Sequence, residues 1–437
     1  MSPARLIAFG FLAVILIGAG LLMLPFASKV DVSYLDALFT ATSATCVTGL
    51  VVLDTYTSWT AFGQAVILTL IQIGGLGLMT IITLFSYALG RRLALYDRKV
   101  LMQSAGNLQL SGIGFLMRRI IPFAFVVEFI GACLLSIRFI PEFGVGKGIW
   151  YSFFHSISAF CNAGFDLMGG KAPFSSLTDY VLDPLVTLTI AFLIILGGLG
   201  FIVWRDLERS RFRWSKFQLH TKLVLVTTAV LIFGGWGLFL IFEWNHSLAG
   251  LPVAGKFLAA FFQSVTPRTA GFNTTDLAAM SESGNMLTNV FMLIGGSPGS
   301  TAGDIKTTTL AVLILSMIAS SRGRRRVNAY HYSIDRDTIR QASSILLVYL
   351  SLGIIAILSI CAFDPVTVKE AMFESCSALG TVGLTLGITP SLSWGSQIVL
   401  ILLMYAGRLG CLSFALVFAQ RKAEAPVDRP NGKLLIG

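Results

Sequence analysis

The chain has 437 residues, of which 55% are hydrophobic and only 12% are charged, and its mean hydropathy is +0.79. A soluble protein of this length needs a larger charged surface, so these values indicate an integral membrane protein. The net charge of +10 would suit a nucleic-acid-binding protein, but Lys and Arg are concentrated in short segments on one side of the apolar stretches. This distribution is the positive-inside bias of membrane proteins, so we expect a lipid bilayer and no nucleic acid as partner.

Eight apolar stretches are long enough to cross the roughly 30 Å hydrocarbon core as helices. In chain order they lie near residues 6–28, 61–90, 112–137, 180–204, 221–243, 286–318, 341–363 and 393–420. The first exceeds the about 7–15 apolar residues of a signal-peptide core, so we interpret it as a span and not as a cleaved leader. The even number of crossings and the basic inner segments predict a multi-pass protein of the cell membrane with both termini in the cytoplasm.

A motif recurs four times, once between the two spans of each successive pair. The copies are ALFTATSATCVTGL ending at Leu50, SFFHSISAFCNAGF ending at Phe165, AAFFQSVTPRTAGF ending at Phe272, and AMFESCSALGTVGL ending at Leu384. A phenylalanine precedes the shared glycine by ten residues at Phe39, Phe154, Phe261 and Phe373, although Phe262 suggests that the third loop is one residue shorter. Each copy is too short to span and too apolar for an external loop, so we predict a re-entrant pore helix followed by extended backbone.

A second motif recurs in step with the first, within the later span of each pair. It reads GGLG at 74–77 and again at 197–200, GGSPG at 295–299 and GRLG at 407–410. Together the motifs predict an all-α membrane protein with eight transmembrane helices and four re-entrant pore helices around a pseudo-fourfold pore. The predicted repeats are residues 1–100, 101–213, 214–335 with a broken inner helix, and 336–437 with the carboxy-terminal tail.

The shared glycines point to an ion pathway lined by backbone carbonyls, because carbonyl rings replace the water of a dehydrated cation without adding a trapping charge. Glycine permits backbone conformations that other residues resist, which explains one glycine at the same place in each repeat. The alternative is that these glycines merely end re-entrant helices. The predicted filter comprises Cys46, Val47, Thr48, Gly49, Cys161, Asn162, Ala163, Gly164, Thr269, Ala270, Gly271, Thr381, Val382 and Gly383.

The motifs VTGL, NAGF, PRTAGF, GTVGL, GGLG and GRLG resemble those of the Trk/Ktr/HKT superfamily of K⁺ transporters, and within it the KtrB-type subunits. The resemblance covers essentially the whole chain. It implies K⁺ as the transported ion at the filter carbonyls, a homodimer of pores, and a cytoplasmic nucleotide-binding regulatory ring of the KtrA type. Na⁺ is a second candidate ion, since one glycine per loop predicts softer selectivity than the TVGYG filter gives. We expect no organic cofactor on this chain and no enzymatic activity.

The sixth span is interrupted by IGGSPGSTAGDIKT, which cannot continue as a good helix. Broken backbone at membrane depth is tolerated where it is buried in protein or lines a watery cavity, so the sequence predicts a gate beneath the filter. A plain kink is the alternative; a nucleotide-binding loop is excluded because the required lysine and preceding strand are missing. The predicted gate comprises Gly295, Gly296, Ser297, Pro298, Gly299, Ser300, Thr301, Ala302, Gly303, Asp304, Lys306 and Arg408, with Asp304 and Lys306 as a candidate ion pair.

Other charges within or beside the spans have predicted roles of their own. Arg408 replaces a glycine of the GGLG motif and is expected either to set a barrier to cations or to pair with an acid or with pore-helix carbonyls. We expect Glu128 to pair or face a cavity, and Arg268 to anchor the third loop by hydrogen bonds. Asp54, Asp166 and Asp276 follow filter glycines and are candidates for the outer mouth, the alternative being that they are solvated loop carboxylates.

The runner-up function is an alternating-access carrier for monovalent cations, because such carriers also use broken helices near the membrane midplane. The four parallel units favour the channel-like reading. The six cysteines lack metal-ligand spacing, so we expect neither a zinc site nor a disulfide framework.

Overall fold

The computed structural model describes residues 3–77, 113–324 and 326–410, and most of them are helical. Within these ranges, four helices are long and apolar enough to cross a membrane. These outer helices begin the four repeats and are Pro3–Leu22, Ile113–Phe143, Leu219–Glu243 and Arg336–Phe363. Large apolar side chains remain exposed on them, among them Ile17, Ile241 and Leu358 at 64%, 72% and 66%. Such a surface is the one that lipid covers.

A short pore helix follows each outer helix. The four pore helices are Tyr34–Cys46, Val145–Phe160, Val253–Val265 and Val368–Leu379. The first and fourth start with capping boxes, in which Ser33 pairs with Asp36 and Thr367 with Glu370. At about 1.5 Å rise per residue, none of the four is long enough to cross the bilayer.

The inner helices complete the repeats and pack beside the pore helices. They are Ala61–Leu76, Pro184–Leu199, the broken pair Glu282–Met292 and Thr307–Ser321, and Trp394–Leu409. The fourth predicted span, 180–204, extends too far, because the chain bends by 88° at Gly200 into Phe201–Ser210. The spans predicted at 61–90 and 393–420 extend beyond the described residues. The first repeat boundary, at residue 100, and the carboxy-terminal tail lie outside the described residues.

The glycine motif of the inner helices marks a close approach to the pore helices. A Cβ added at Gly74, Gly197 or Gly407 would overlap the carbonyl oxygen of Thr45, Phe160 or Leu379, which lies at the end of the pore helix of the same repeat. Only glycine fits at such a contact. In these three repeats the motif recurs because the inner helix packs directly against its own pore helix, whereas in the third repeat Gly295 lies against Gly303 and Asp304.

One detail differs from the expectations drawn from the sequence, and a second agrees with the suggestion of a shorter third loop. The strands Val327–Ala329 and Tyr332–Ile334 form a small antiparallel hairpin, which an all-α prediction omits. In the third pore helix the fully buried phenylalanine is Phe262, as in the other repeats at Phe39, Phe154 and Phe373, whereas Phe261 is only half-buried. The third loop is therefore one residue shorter than the others.

Candidate functional site

The four loops of the predicted filter share an unusual backbone conformation. In each loop the glycine has a positive φ, and so does the residue two positions before it. For the first loop these values are 59° at Val47 and 94° at Gly49. The remaining pairs are Asn162 with Gly164, Thr269 with Gly271, and Thr381 with Gly383. The β-branched residues Val47, Thr269 and Thr381 rarely adopt this region, so the surrounding structure holds these loops in place, whereas Asn162 tolerates it more readily.

The four glycines meet in a closed ring. A Cβ added at Gly49 would lie 2.5 Å from the carbonyl oxygen of Ala163, and one added at Gly164 would lie 2.6 Å from that of Ala270.

The same contact closes the other half of the ring. A Cβ at Gly271 would overlap the carbonyl oxygen of Val382, and one at Gly383 would overlap that of Thr48. Each glycine thus abuts the carbonyl that precedes the glycine of the next repeat. The loops follow one another in the order one, two, three, four around an axis, with repeats one and three opposite each other and two and four opposite each other.

A hydroxyl group from each pore helix holds its loop. Each hydroxyl stands four residues after the buried phenylalanine, at Ser43, Ser158, Thr266 and Ser377. In repeats one and four the amide of the ring glycine donates to the serine Oγ at 3.0 Å. In repeats two and three the hydroxyl donates to the carbonyl of the residue after the glycine, at 2.7 Å and 2.5 Å. The sequence carries this pattern, but it becomes visible only when the third repeat is aligned on Phe262.

The interrupted part of the third inner helix forms a folded-back loop, residues 294–306, which we call the intramembrane loop. Its ends are joined by a bridge between Ile294 and Ile305 and by a hydrogen bond of 3.0 Å from Gly295 N to Ile305 O. Ser297 Oγ and Thr307 Oγ1 lie 3.0 Å apart across its base. The segment is therefore a closed loop and not a simple kink in a helix.

The second repeat holds one side of the intramembrane loop. Ser297 N donates to Gly198 O at 2.9 Å, and Phe201 N donates to Gly299 O at 2.9 Å. Thr301 Oγ1 donates to Phe160 O, at the end of the second pore helix, at 3.2 Å. The glycine motif of the second inner helix is thus also the docking point of the loop.

The other side of the loop meets the fourth repeat just inside the glycine ring. The Arg408 guanidinium donates to Thr301 O on the intramembrane loop and to Gly74 O on the first inner helix. A Cβ added at Gly303 would overlap Thr381 Oγ1, so the loop touches the inner end of the fourth filter segment. Arg408 pairs with backbone carbonyls, but these lie on the intramembrane loop and the first inner helix and not on a pore helix as expected, and its role as a barrier to cations stays a prediction.

Asp304 and Lys306 do not form the direct ion pair that we expected, although their opposite charges still interact through space. Lys306 Nζ donates to Ala302 O at 2.7 Å and to Gly303 O at 2.8 Å, so two of its three N–H donors bond the loop backbone. Asp304 is 5% exposed, and both its carboxylate oxygens lack a hydrogen-bond partner within the described ranges. The loop carbonyls, and not the nearby carboxylate, bond the ammonium, and the backbone at Asp304 is left-handed, with φ of 67°.

Two further buried charges differ in how far they meet expectation. Glu128 pairs as expected, accepting from Gln72 Nε2 at 3.0 Å and 3.2 Å. We expected Arg268 to anchor the third loop by hydrogen bonds. Its Nε does not do so, because this atom is buried without a hydrogen-bond partner among the described residues.

The acidic residues near the outer mouth hold local turns. Asp54 accepts from Thr57 N at 2.8 Å and from Phe174 N at 3.0 Å, and Asp276 accepts from Ala278 N at 2.9 Å. Asp166 accepts from Met168 N at 2.9 Å. Burial raises the pKa of Asp166 to about 7, and the nearby Asp54 carboxylate acts in the same direction.

The fold and the site together define an integral membrane protein whose four covalently linked repeats place backbone loops around one axis. The chain belongs to the TrkH family of cation transport proteins, whose family model matches residues 5–426. Membership in a family of transport proteins also confirms the expectation that the chain is not an enzyme.

Several known proteins are similar over nearly their full length. The potassium/sodium uptake protein NtpJ of Enterococcus hirae is 44% identical, covering 100% of this chain and 98% of that protein. The Ktr system potassium uptake protein B of Bacillus subtilis is 40% identical, covering 100% and 97%. The crystal structure of the potassium transporter TrkH from Vibrio parahaemolyticus matches with a TM-score of 0.73 at 18% identity, covering 94% of this chain and 85% of that one. The predicted fold class and the resemblance noted in the sequence are confirmed.

Proposed function

We propose that the chain is the ion-conducting subunit of a K⁺ uptake system, with channel-like permeation through the glycine ring. The closed ring of four glycine loops is the observation that carries the proposal, because it brings four backbone carbonyls to one level of one axis. Carbonyl oxygens at that level replace the hydration shell of a cation. The relatives named as potassium uptake proteins support K⁺ as the ion, and the name of one of them adds Na⁺ as a second.

The filter in this proposal consists of residues 46–49, 161–164, 269–271 and 381–383. Only the glycine and the residue two positions before it have positive φ in each loop, so few levels of carbonyls face the axis. A filter with few levels discriminates less strictly between ions. We expect K⁺ to be preferred and Na⁺ to pass at a lower rate.

The gate in this proposal is the intramembrane loop together with Arg408. Its contact with Thr381 puts the loop at the inner end of the filter, where it obstructs the path of an ion. Hydrogen bonds join the loop to repeat two and to Arg408 of repeat four, and Arg408 in turn bonds repeat one; such bonds can break singly without unfolding a helix. A segment held in this way can move aside and return.

The assembly in this proposal is a homodimer that docks a cytoplasmic nucleotide-binding ring on its basic inner face. The word "system" in the names of the Ktr relatives supports a second component. The bias of basic residues supports a cytoplasmic location of both termini. Repeat boundaries at residues 100, 213 and 335 belong to the same proposal.

Rescue of K⁺-uptake-deficient cells at low external K⁺ tests the function. We expect the wild-type chain, expressed with its ring subunit, to restore growth, and Gly383→Ala to abolish the rescue because its Cβ overlaps Thr48 O. Gly387→Ala is the matched control, since Gly387 has a φ of 95° but nothing within 4 Å of the added Cβ. Failure of the wild-type chain, or equal rescue by both variants, would refute the proposal. Single-channel currents would separate the pore from an alternating-access carrier.

A further inference from the structure

A second set of polar side chains lies behind the glycine ring. Each of its members directly follows the buried phenylalanine of a pore helix, and the four are Thr40, His155, Gln263 and Glu374. All are buried, with at most 4% exposure. Unlike the hydroxyl groups that hold every loop, these four side chains differ in chemistry from repeat to repeat.

In the fourth repeat, Glu374 ties the pore helix to the segment that leaves the ring. Its carboxylate accepts from Thr385 Oγ1 at 2.5 Å and from Thr389 Oγ1 at 2.8 Å. The two hydroxyls lie 2.9 Å apart. Thr385 is the second residue after Gly383, so this cluster fixes the outer end of the fourth filter loop.

In the second repeat, His155 does the same with an imidazole. Its Nε2 lies 3.3 Å from Leu167 N, and its Nδ1 lies 2.7 Å from Tyr151 O. Because the Leu167 amide is a donor, Nε2 accepts, and Nδ1 carries the proton and donates to the Tyr151 carbonyl. Leu167 is the third residue after Gly164, so the outer end of the second loop is fixed in the corresponding place.

The equivalent side chains of repeats one and three make no such bond. Thr40 Oγ1 and both amide atoms of Gln263 have no hydrogen-bond partner within the described ranges. The segment after the third loop is held from outside instead, where Asn273 O accepts from Leu177 N of the second repeat at 3.0 Å. Only two of the four loops are therefore tied to their own pore helices at this level.

The order of the repeats around the axis places the two tied loops opposite each other. We infer that Glu374 and His155 are positioning residues that brace opposite loops of the filter and thereby set the discrimination between K⁺ and Na⁺. The braced pair keeps its carbonyls at a spacing suited to the larger ion, since a loop that is free to move inward also coordinates the smaller one. This inference rests on the proposed function. It assigns ion selectivity mainly to the second and fourth repeats.

The test compares K⁺ and Na⁺ uptake by variants at equivalent positions. Glu374→Met removes both hydrogen bonds at nearly constant volume, and His155→Phe removes those of the imidazole. Gln263→Met is the matched control, because it makes a similar change at the equivalent position of an untied loop. We expect the K⁺/Na⁺ uptake ratio to fall about tenfold in the first two variants, which corresponds to about 1.4 kcal/mol, and to stay unchanged in the control.

A conservative variant separates positioning from general damage. Glu374→Gln keeps an acceptor for one threonine and offers a donor to the other, so we expect its ratio to stay close to that of the wild type. If Glu374→Met does not accumulate in the membrane, the comparison of His155→Phe with Gln263→Met decides the question.

Equal ratios in the wild type, His155→Phe and Gln263→Met would overturn the inference while leaving the proposed function intact. Equal falls in all variants would also overturn it. A wild-type chain that takes up neither ion would refute the proposed function itself.

Discussion

Arg408 offers the sharpest perturbation of the intramembrane loop. Its guanidinium joins Thr301 on the loop to Gly74 on the first inner helix, so it bridges the gate to a fixed part of the fold. A hydrogen bond from a charged donor contributes about 1.5–3 kcal/mol. Only the bond to Thr301 reaches the loop, so its loss shifts the balance between closed and open loop by about 1.5–3 kcal/mol, or roughly ten- to a hundredfold. We expect Arg408→Gln to raise the rate of K⁺ uptake until the open state dominates.

Arg408→Lys distinguishes a latch from an electrostatic barrier. Lysine keeps the positive charge, but its single ammonium cannot reproduce the planar fork that reaches two carbonyls at once. If the hydrogen bonds close the loop, Lys behaves like Gln; if the charge alone repels the ion, Lys behaves like the wild type. The contacts with Thr301 and Gly74 lead us to expect the first result.

The assay is the initial rate of K⁺ or Rb⁺ uptake in deficient cells, normalised to the amount of chain in the membrane. Arg340→Gln is the control for the same chemical change, because the Arg340 side chain is 81% exposed. Uptake that stays at the wild-type rate in Arg408→Gln at equal abundance would refute the reasoning.

Two further predictions concern packing and pH. Gly74→Ala should lower the melting temperature of the purified protein, because its Cβ overlaps Thr45 O; Gly20→Ala, with nothing within 4 Å, should be neutral or stabilise by about 0.5–1 kcal/mol. Burial raises the pKa of Asp166 to about 7, so its carboxyl ionises at the outer mouth between about pH 6 and 8 instead of near 4. Ionisation adds a negative charge that attracts cations, so K⁺ uptake should rise over this range, and less so in Asp166→Asn. A lower melting temperature in Gly20→Ala but not in Gly74→Ala would contradict the first expectation. Equal pH profiles of K⁺ uptake in the wild type and Asp166→Asn would contradict the second.

The ring was predictable from the sequence because the same steric requirement selects glycine at the same position in all four repeats. Gly49 and its equivalents have no room for a side chain beside the carbonyl of the next repeat, and this requirement produces the repeated glycine that is visible in the sequence. The break in the sixth span was equally legible, since Pro298 and its neighbouring glycines cannot continue a helix. The left-handed backbone conformation of Val47, with φ of 59°, was not predictable, because a β-branched residue disfavours the left-handed region.

Contacts between residues of different repeats could not be predicted from the spacing of residues along the sequence. Arg408 was recognised as unusual, but its partners Thr301 and Gly74 lie 107 and 334 residues away. The pairing of Asp304 with Lys306 was inferred from their closeness in sequence, and it failed because the loop carbonyls compete for the ammonium. Such choices are made by the packed structure and not by the local pattern.

The central claim is that a cation binds where the four glycine loops meet. Diffraction at the rubidium absorption edge, from crystals of the protein grown in Rb⁺, tests it most directly. We expect an anomalous peak on the axis at the level of Gly49, Gly164, Gly271 and Gly383. Peaks only elsewhere in a protein that transports Rb⁺ would contradict it.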